Sequence, residues 1–203
     1  MRSMTLNHLE AQLKTALGKL SQTSSDSDLD ENVKLPKPHS LRPAAVLVAI
    51  DFAHDIPKLI LIRRSSKLKH HPGQIAFAGG KRDAADKTIE QTALREAYEE
   101  IRLPPDSVQI LGNMPSHETV TGFSVTPVLG LIRDEFTPVP DKGEVAEVFS
   151  VPFGQLTDLS RFSIQSRHWK NARKQYYTVP YGPYYIWGAT ARILCALAEG
   201  MRR

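Results

Sequence analysis

Three glutamates, Glu96, Glu99 and Glu100, are spaced so that their carboxylates share one face of a helix. Like charges at this spacing destabilise a helix by about 0.2–0.5 kcal/mol per pair, so the cluster indicates a bound cation rather than a neutral surface. Carboxylate oxygens suit Mg²⁺, which keeps other positions for water and for substrate phosphates. The competing interpretation is a solvated acidic helix face. The residues around the three glutamates favour the interpretation as a cation-binding cluster.

The helix that carries these glutamates has a clear start and a predicted core face. Thr88 and Gln91 form the pattern of a capping box at its first turn. Pro104-Pro105 are expected to stop the helix. Apolar residues recur at helical spacing and predict a buried stripe nearly opposite the glutamates: Ile89, Ala93, Leu94, Ala97, Tyr98 and Ile101.

Together with the preceding Gly79-Gly80 pair, this segment resembles a known motif, the Nudix box, of general form G-x5-E-x7-R-E-U-x-E-E-x-G-U. The resemblance rests on Gly80, Arg95-Glu96 and Glu99-Glu100. The spacing from Gly80 to Arg95 is one residue longer than the general form, and no glutamate occupies the early acidic position, although Asp83 and Asp86 are near it. Arg102 stands where a glycine usually follows. The first two departures are familiar in the coenzyme A diphosphatase type of this family.

A second stretch, residues 61–80, resembles the upstream pattern of that type, L-L-T-x-R-S-x3-R-x3-G-x3-F-P-G-G. Lys69 replaces its arginine and Ala78 its proline. Lys69 keeps the charge of the arginine but not its bidentate geometry for phosphate. Residues 121–128 and 186–191 also look like this type, and the resemblance extends over residues 44–198. The matching residues of the upstream pattern are Arg64, Ser65, Gly73, Phe77, Gly79 and Gly80.

The resemblance implies an α/β Nudix fold, a mixed β-sheet sandwiched between α-helices. It also implies a hydrolase dependent on Mg²⁺ or Mn²⁺ that cleaves the pyrophosphate of CoA or acyl-CoA to 3′,5′-ADP and (acyl-)phosphopantetheine. Two alternatives stay open: a pyrophosphatase for NADH or ADP-ribose, and a Nudix module that binds a nucleotide without cleaving it. The presence of all three glutamates argues against the non-catalytic module.

The resemblance also assigns roles within the acidic helix. Glu96 and Glu100 are the first candidates for metal ligands, and Glu99 is either a third ligand or the group that orients water. A backbone carbonyl at Gly79 or Gly80 is expected to add a ligand, because glycine lets the main chain approach closely.

The predicted site also includes an arginine that orients the glutamates and a general base. Arg95, one turn before Glu99, is expected to pair with it and to orient the acidic face. The general base is open among Glu99, Glu144 and Glu147.

The substrate is expected to meet a basic stretch and one aromatic residue. Four fixed positive charges and a histidine lie within eight residues: Arg63, Arg64, Lys67, Lys69 and His70. They form either an exposed basic loop or a clamp for a pyrophosphate and a 3′-phosphate. By resemblance, Gly122 and Phe123 shape the loop that faces the pantetheine arm.

The chain divides into three predicted regions. Leucines spaced by three and four residues predict an amphipathic helix over 1–20, which packs on its own domain or on a homodimer partner. The Ser/Asp-rich stretch 21–40 is interpreted as a linker or flexible loop. Residues 41–203 are assigned to the Nudix hydrolase domain.

Composition and charge favour a small-molecule substrate over a nucleic acid or a membrane as the partner of this protein. The net charge of +4 is modest and spread along the chain, which disfavours a nucleic-acid partner. No stretch approaches 18 apolar residues, so no membrane span is predicted. The single cysteine, Cys195, is expected to be buried and inert. These features favour a cytoplasmic protein.

Overall fold

The computed structural model describes residues 6–29, 35–36, 40–53, 56–169 and 172–202. The parts of the predicted regions 1–20, 21–40 and 41–203 that fall elsewhere lie outside the described residues. The helices are α1 (Leu6–Lys19), α2 (Ile89–Ile101), α3 (Phe153–Leu156) and α4 (Gly188–Met201). The strands are β1 (Ser24–Ser25), β2 (Arg42–Asp51), β3 (Lys58–Arg64), β4 (Ile75–Ala76), β5 (Ala78–Lys81), β6 (Val108–Asn113), β7 (His117–Glu118), β8 (Phe123–Ile132), β9 (Val145–Pro152), β10 (Ser163–Trp169) and β11 (Ala172–Thr178).

Nine of these strands form one mixed sheet, in the order β1-β7-β8-β2-β3-β4. Strand β5 pairs with β2, β6 with β8, and β9 with β3. The β2–β8 and β1–β7 pairs are parallel and the others are antiparallel. Strands β10 and β11 form a separate antiparallel hairpin. The α/β prediction is confirmed.

The sheet separates two hydrophobic cores. Successive residues of β2 point to opposite faces, so Val48 and Ile50 join the core with α1 and α4, whereas Leu47 and Ala49 join the core under α2. A strand buried on both faces has an almost continuous apolar sequence, as residues 45–50 do. Among the helices of the described residues, α2 therefore packs on one face of the sheet, and α1 and α4 pack on the other.

Helix α1 is part of the domain rather than an appendage. Leu9, Leu13 and Ala16 are fully buried, and α1 packs against α4. The leucine-bearing face is therefore covered within the chain, which removes the feature on which the homodimer prediction rested.

Part of the predicted linker is ordered. Ser24 and Ser25 pair in parallel with His117 and Glu118, and a turn follows at residues 26–29. Hydrogen bonds with the sheet edge replace the apolar burial that this polar segment lacks. We call residues 24–29 the strap.

Helix α2 begins as predicted but differs in detail. The Gln91 N–H donates to the Thr88 hydroxyl at 3.3 Å, whereas the Gln91 amide oxygen accepts from the Lys87 N–H at 2.8 Å, so the capping box is not reciprocal. The helix ends before the prolines, at Arg102, whose φ of 61° is left-handed. This conformation explains why a glycine usually follows the box.

The prediction that Tyr98 belongs to the core stripe of α2 is wrong. Its side chain is exposed, and the Arg102 guanidinium lies over its ring. Thr92 and Glu100 are buried instead. The core face of α2 is therefore rotated toward Glu100 relative to the predicted stripe.

Cys195 is buried, and burial raises the pKa of its thiol to about 11, as expected for an inert cysteine. None of the helices within the described residues combines the length and apolar character needed to cross a membrane.

Candidate active site

Glu100 is the most buried carboxylate of the acidic helix. Only 2% of it is exposed, which contradicts the expectation that all three glutamates lie opposite the core. The Gly79 N–H donates to its carboxylate at 2.9 Å. Burial raises the pKa of Glu100 to about 8; the Gly79 N–H and Arg64 oppose this rise, and Glu96 and Glu144 add to it. The surroundings of Glu100 therefore disfavour the ionised form of its carboxyl group.

Gly79 and Gly80 make room for these carboxylates. Strand β5 pairs so closely with β2 that a Cβ on Gly79 would collide with the Ala45 carbonyl oxygen. A Cβ on Gly80 would lie 2.5 Å from a carboxylate oxygen of Glu96. The Gly-Gly pair therefore lets strand backbone and glutamate side chains share one small space.

Arg95 braces the acidic face, as predicted. Its guanidinium donates to Glu96 at 2.9 Å and to Glu99 at 3.0 Å. It also forms a bidentate pair with Asp86, at 3.0 and 2.9 Å. The hydrogen bonds from Arg95 hold the pKa of Asp86 well below its usual range, despite burial.

Asp86 is the residue that sequence reasoning missed. It is buried, and it also accepts from the Thr92 hydroxyl and the Asp83 N–H. The signal was its position near the early acidic site of the motif, but the spacing alone did not single it out from Asp83. Asp83 lies 3.9 Å from Arg95 and is largely exposed.

The three candidates for the general base occupy different positions. Glu99 is half-exposed and bound to Arg95. Glu144 is exposed and ends the turn whose Asp141 N–H donates to the Glu100 carbonyl oxygen at 2.8 Å, and its charge raises the pKa of both Glu96 and Glu100. Glu147 instead pairs with Arg63 at 2.8 Å and accepts from the Tyr184 hydroxyl at 2.7 Å.

The basic stretch is divided by the sheet rather than gathered into one clamp. Arg63 and Arg64 are neighbours on β3 and point to opposite faces. Arg63 meets Glu147, whereas Arg64 approaches Glu100, with 3.8 Å between the closest nitrogen and oxygen. The remaining members, Lys67, Lys69 and His70, are exposed in the loop that follows.

Phe123 is not brought to the carboxylates. It begins β8, where it pairs in register with Arg42, three residues before the Ala45–Gly80 pair. At about 3.3 Å per residue, this separation is about 10 Å along the strand. The Arg42 guanidinium covers the Phe123 ring at 4.1 Å.

The donor set fits a divalent cation. Burial, outweighing the pairing with Arg95, raises the pKa of Glu96, and Glu99 and Glu144 raise it further. Hard carboxylate oxygens that repel one another are the donors that Mg²⁺ and Mn²⁺ accept. Among the described residues, no three Asp, Glu, His or Cys side chains are already grouped as a metal cage. Glu99 in particular is drawn to Arg95 rather than to Glu100.

A second polar cluster anchors the strap. His117 is 1% exposed, and its two ring nitrogens lie 2.9 Å from the Ser24 hydroxyl and 3.2 Å from an Asp26 oxygen. Asp26 also accepts from the Val120 N–H at 2.9 Å. Burial alone would raise the pKa of Asp26, but these hydrogen bonds outweigh it and lower the pKa. The side chains of Ser24, His117 and Asp26 therefore all have hydrogen-bond partners within this cluster.

The sequence profile of the NUDIX domain matches residues 40–174. The chain belongs to the Nudix family. Nudix hydrolases generally use divalent metal ions such as Mg²⁺ or Mn²⁺, which agrees with the donor set on α2.

Curated relatives extend the likeness beyond the motif. The chain is 43% identical over 178 residues to "Uncharacterized Nudix hydrolase NudL" of Pectobacterium atrosepticum, covering 85% of this chain and 92% of the relative. It is 40% identical over 156 residues to the NudL of Yersinia enterocolitica, covering 77% and 80%. Among solved structures, RenU, a Nudix hydrolase from M. smegmatis, is similar with 25% identity and a TM-score of 0.49 over 58% of this chain and 74% of RenU.

Proposed function

We propose that this Nudix protein is a hydrolase dependent on Mg²⁺ or Mn²⁺ that cleaves the pyrophosphate of CoA or acyl-CoA. The products are 3′,5′-ADP and (acyl-)phosphopantetheine. The observation that carries the proposal is the meeting of two motifs, because Arg64 of the upstream pattern approaches Glu100 of the Nudix box. The Arg64 Nε atom is buried and finds no hydrogen-bond acceptor among the described residues.

An unsatisfied guanidinium N–H beside buried carboxylates supports a role in binding an anionic oxygen. A phosphate oxygen of the substrate would supply the missing acceptor. Glu96 and Glu100 are the proposed metal ligands, with the Gly80 carbonyl and Glu99 as the proposed additions. A bound Mg²⁺ or Mn²⁺ would neutralise phosphate charge and make water more acidic.

The chain's own residues divide the remaining work in this proposal. Glu144 is the favoured base because its carboxylate is exposed, near Glu96 and Glu100, and it would accept a proton from the attacking water. Glu147 is disfavoured because Arg63 and Tyr184 already occupy it. Arg95 and Asp86 position Glu96 and Glu99 before substrate arrives.

The exposed side chains of the basic loop would meet the outer phosphates. Arg64 lies at the carboxylates, so its replacement by Ala is expected to weaken CoA and dephospho-CoA equally. Lys69→Ala is expected to raise the KM for CoA about fivefold more than the KM for dephospho-CoA, which lacks the 3′-phosphate. Equal losses for the two substrates would show that Lys69 does not contact the 3′-phosphate.

The test is product analysis by liquid chromatography with CoA, dephospho-CoA, NADH and ADP-ribose, each with Mg²⁺ or Mn²⁺. Metal-dependent release of 3′,5′-ADP, greatest from CoA, is the expected result, and the Glu100→Gln variant provides the blank. Cleavage of NADH or ADP-ribose in preference to CoA would favour the alternative pyrophosphatase, which the Lys69 and Ala78 departures keep open. Turnover of none of the four would favour a non-catalytic binding module.

A further inference from the structure

The segment 138–144, which leads into β9, is attached directly to the acidic helix. The Val139 N–H donates to the Ile101 carbonyl oxygen at 3.0 Å, and the Asp141 N–H donates to the Glu100 carbonyl oxygen at 2.8 Å. Both acceptors belong to the last turn of α2, where carbonyl groups have no partner within the helix. The segment is therefore bonded to the end of the helix that carries the proposed metal ligands.

Asp141 organises the turn at residues 141–144. Its carboxylate accepts from the Gly143 N–H at 2.7 Å, and its carbonyl oxygen accepts from the N–H groups of Glu144 at 3.0 Å and Val145 at 2.7 Å. An aspartate that binds the backbone two residues further along forms an Asx turn. A Cβ on Gly143 would lie 2.9 Å from the same carboxylate oxygen, so the glycine leaves room for this hydrogen bond. Asp141 thus directs the backbone as far as Glu144.

The backbone of Glu144 is held on both sides, although its side chain is exposed. Its N–H donates to Asp141, and its carbonyl oxygen accepts from the Ser65 N–H at 2.7 Å. Ser65 is buried and directly follows Arg64, which approaches Glu100. A fixed backbone with a free carboxylate suits a group that must accept a proton from water at a defined position.

The Asx turn restrains the part of this segment that would otherwise be most mobile. Pro138 and Pro140 fix their own φ angles and restrict the residues that precede them. No such restraint acts at Gly143, whose backbone has the widest conformational freedom of any residue. The hydrogen bond from Gly143 to Asp141 therefore limits how far Glu144 can move from the proposed metal ligands.

We propose that Asp141 is a positioning residue for the hydrolysis. Its carboxylate shapes the turn at residues 141–144 so that the Glu144 carboxylate is presented to the water that attacks the pyrophosphate. This role rests on the proposed function, in which Glu144 accepts the proton of that water. Asp141 acts through Glu144 and contacts no reacting atom. Its effect is therefore on kcat rather than on KM, and it requires Glu144.

A double-mutant cycle on the release of 3′,5′-ADP from CoA tests this dependence. Asp141→Ala is expected to lower kcat about tenfold and to leave KM within about twofold, because the base is misplaced while the substrate contacts remain. Glu144→Gln is expected to lower kcat about 10²-fold. Asp141→Ala/Glu144→Gln is expected to be no slower than Glu144→Gln alone. Losses that multiply in the double variant would give Asp141 an independent role and overturn the proposal.

Two further variants separate positioning from a general loss of structure. Asp141→Asn keeps an oxygen acceptor for the Gly143 N–H and is expected to retain at least about half of the wild-type kcat. The matched control is Asp158→Ala, which removes the same kind of turn, because Asp158 accepts from the Ser160 N–H at 3.0 Å beyond the opposite end of β9. It is expected to change kcat less than about twofold. Failure of Asp141→Asn to restore kcat, or an equal loss in Asp158→Ala, would contradict the proposal.

The turn is also tested without turnover. Amide hydrogen exchange at Gly143, measured by NMR on the metal-free protein, is expected to be about fivefold faster in Asp141→Ala and nearly unchanged in Asp141→Asn. The Kd for Mn²⁺, measured by electron paramagnetic resonance, is expected to stay within about twofold in Asp141→Ala, because Glu96 and Glu100 are retained. Unchanged exchange at Gly143 would show that the Asx turn does not restrain this segment. A Kd raised tenfold or more would show that Asp141 supports the metal ligands instead of the base. Either result would overturn the proposal.

The outcomes distinguish this proposal from the proposed function. Turnover of CoA with a kcat that Asp141→Ala leaves unchanged would refute the role of Asp141 alone. Cleavage of NADH or ADP-ribose in place of CoA would refute the proposed substrate alone, and the same cycle with that substrate would then decide the role of Asp141. Turnover of none of the four compounds would refute both, because no proton transfer would remain for Asp141 to serve.

Discussion

The acidic face of α2 and the strap are both polar clusters in which carboxylates are partly or fully withdrawn from water, yet their electrostatics are opposite. At the strap, hydrogen bonds from His117 and Val120 lower the pKa of Asp26 against the effect of burial. On α2, burial and neighbouring glutamates raise the pKa of Glu100 to about 8. One cluster stabilises its negative charge, and the other concentrates negative charge that the protein alone does not compensate.

This difference separates a structural cluster from a binding site. Buried polar groups are normally satisfied, so a satisfied cluster needs no ligand to explain it. Like-charged carboxylates that stay close together cost stability and point to a cation that the protein has evolved to bind. Arg95 does not remove this excess, because it is committed largely to Asp86. The following substitutions test the contrast.

The largest effect is expected from Glu100→Gln. The glutamine keeps an acceptor for the Gly79 N–H but loses the charge, so turnover is expected to fall about 10²–10³-fold. The metal-free protein is expected to keep or increase its Tm, because glutamine has no ionisable group whose charged form burial would destabilise. Steady-state kinetics and thermal unfolding in EDTA measure the two effects. A variant with nearly wild-type turnover would disprove the metal-ligand assignment, and the exposed Glu99→Gln provides the milder comparison.

Asp86→Asn is expected to affect both stability and turnover. It breaks the bidentate pair with Arg95, at an expected cost of about 1–3 kcal/mol in the free energy of unfolding. Loss of the brace on Glu96 and Glu99 is expected to lower kcat about tenfold. Urea denaturation and initial rates measure these effects. The exposed Asp83→Asn serves as control, with an expected change below about 0.5 kcal/mol; equal effects for the two variants would remove the special role of Asp86.

At the strap, Asp26→Asn is expected to reduce stability by about 1–2 kcal/mol near neutral pH and to leave kcat unchanged. Folding lowers the pKa of Asp26, so its stabilising contribution is complete above the unfolded value of 3.8. It is lost as the pH falls below 3.8 and through the lower folded value. Urea denaturation of both proteins at pH 7 and pH 3 is therefore expected to show a smaller difference at pH 3. A larger difference at pH 3 would contradict the sign of this argument.

The smallest effect is expected from Arg102→Gly, at the end of the acidic helix. A left-handed residue other than glycine costs about 1–2 kcal/mol, part of which the greater freedom of glycine in the unfolded chain offsets. The net gain is expected to be about 0.5–1 kcal/mol, or about 1–4 °C in Tm. Differential scanning calorimetry measures it. Arg102→Ala, which keeps a Cβ, is expected to give no such gain.

Much of the local structure could be predicted from the chain alone. The start of α2 at Thr88 is present where its pattern indicated, and the continuous apolar run of residues 45–50 is typical of the buried strand that it forms. These features depend on short-range rules of capping and periodicity, which act over a few neighbouring residues. The carboxylate spacing on α2 belongs to the same class, as does its ion pair with Arg95.

Other features depend on residues far apart in the chain. The sequence by itself determined that Glu96, Glu99 and Glu100 lie on one helical surface, because helix geometry dictates that spacing. Only the tertiary structure decided that Glu100 is buried against Gly79 and that Asp86 forms an ion pair with Arg95. It also decided that Arg63 and Arg64 of β3 point to opposite faces of the sheet. Those outcomes depend on which strands pair and in what register, and periodicity within one element contains no information about its neighbours.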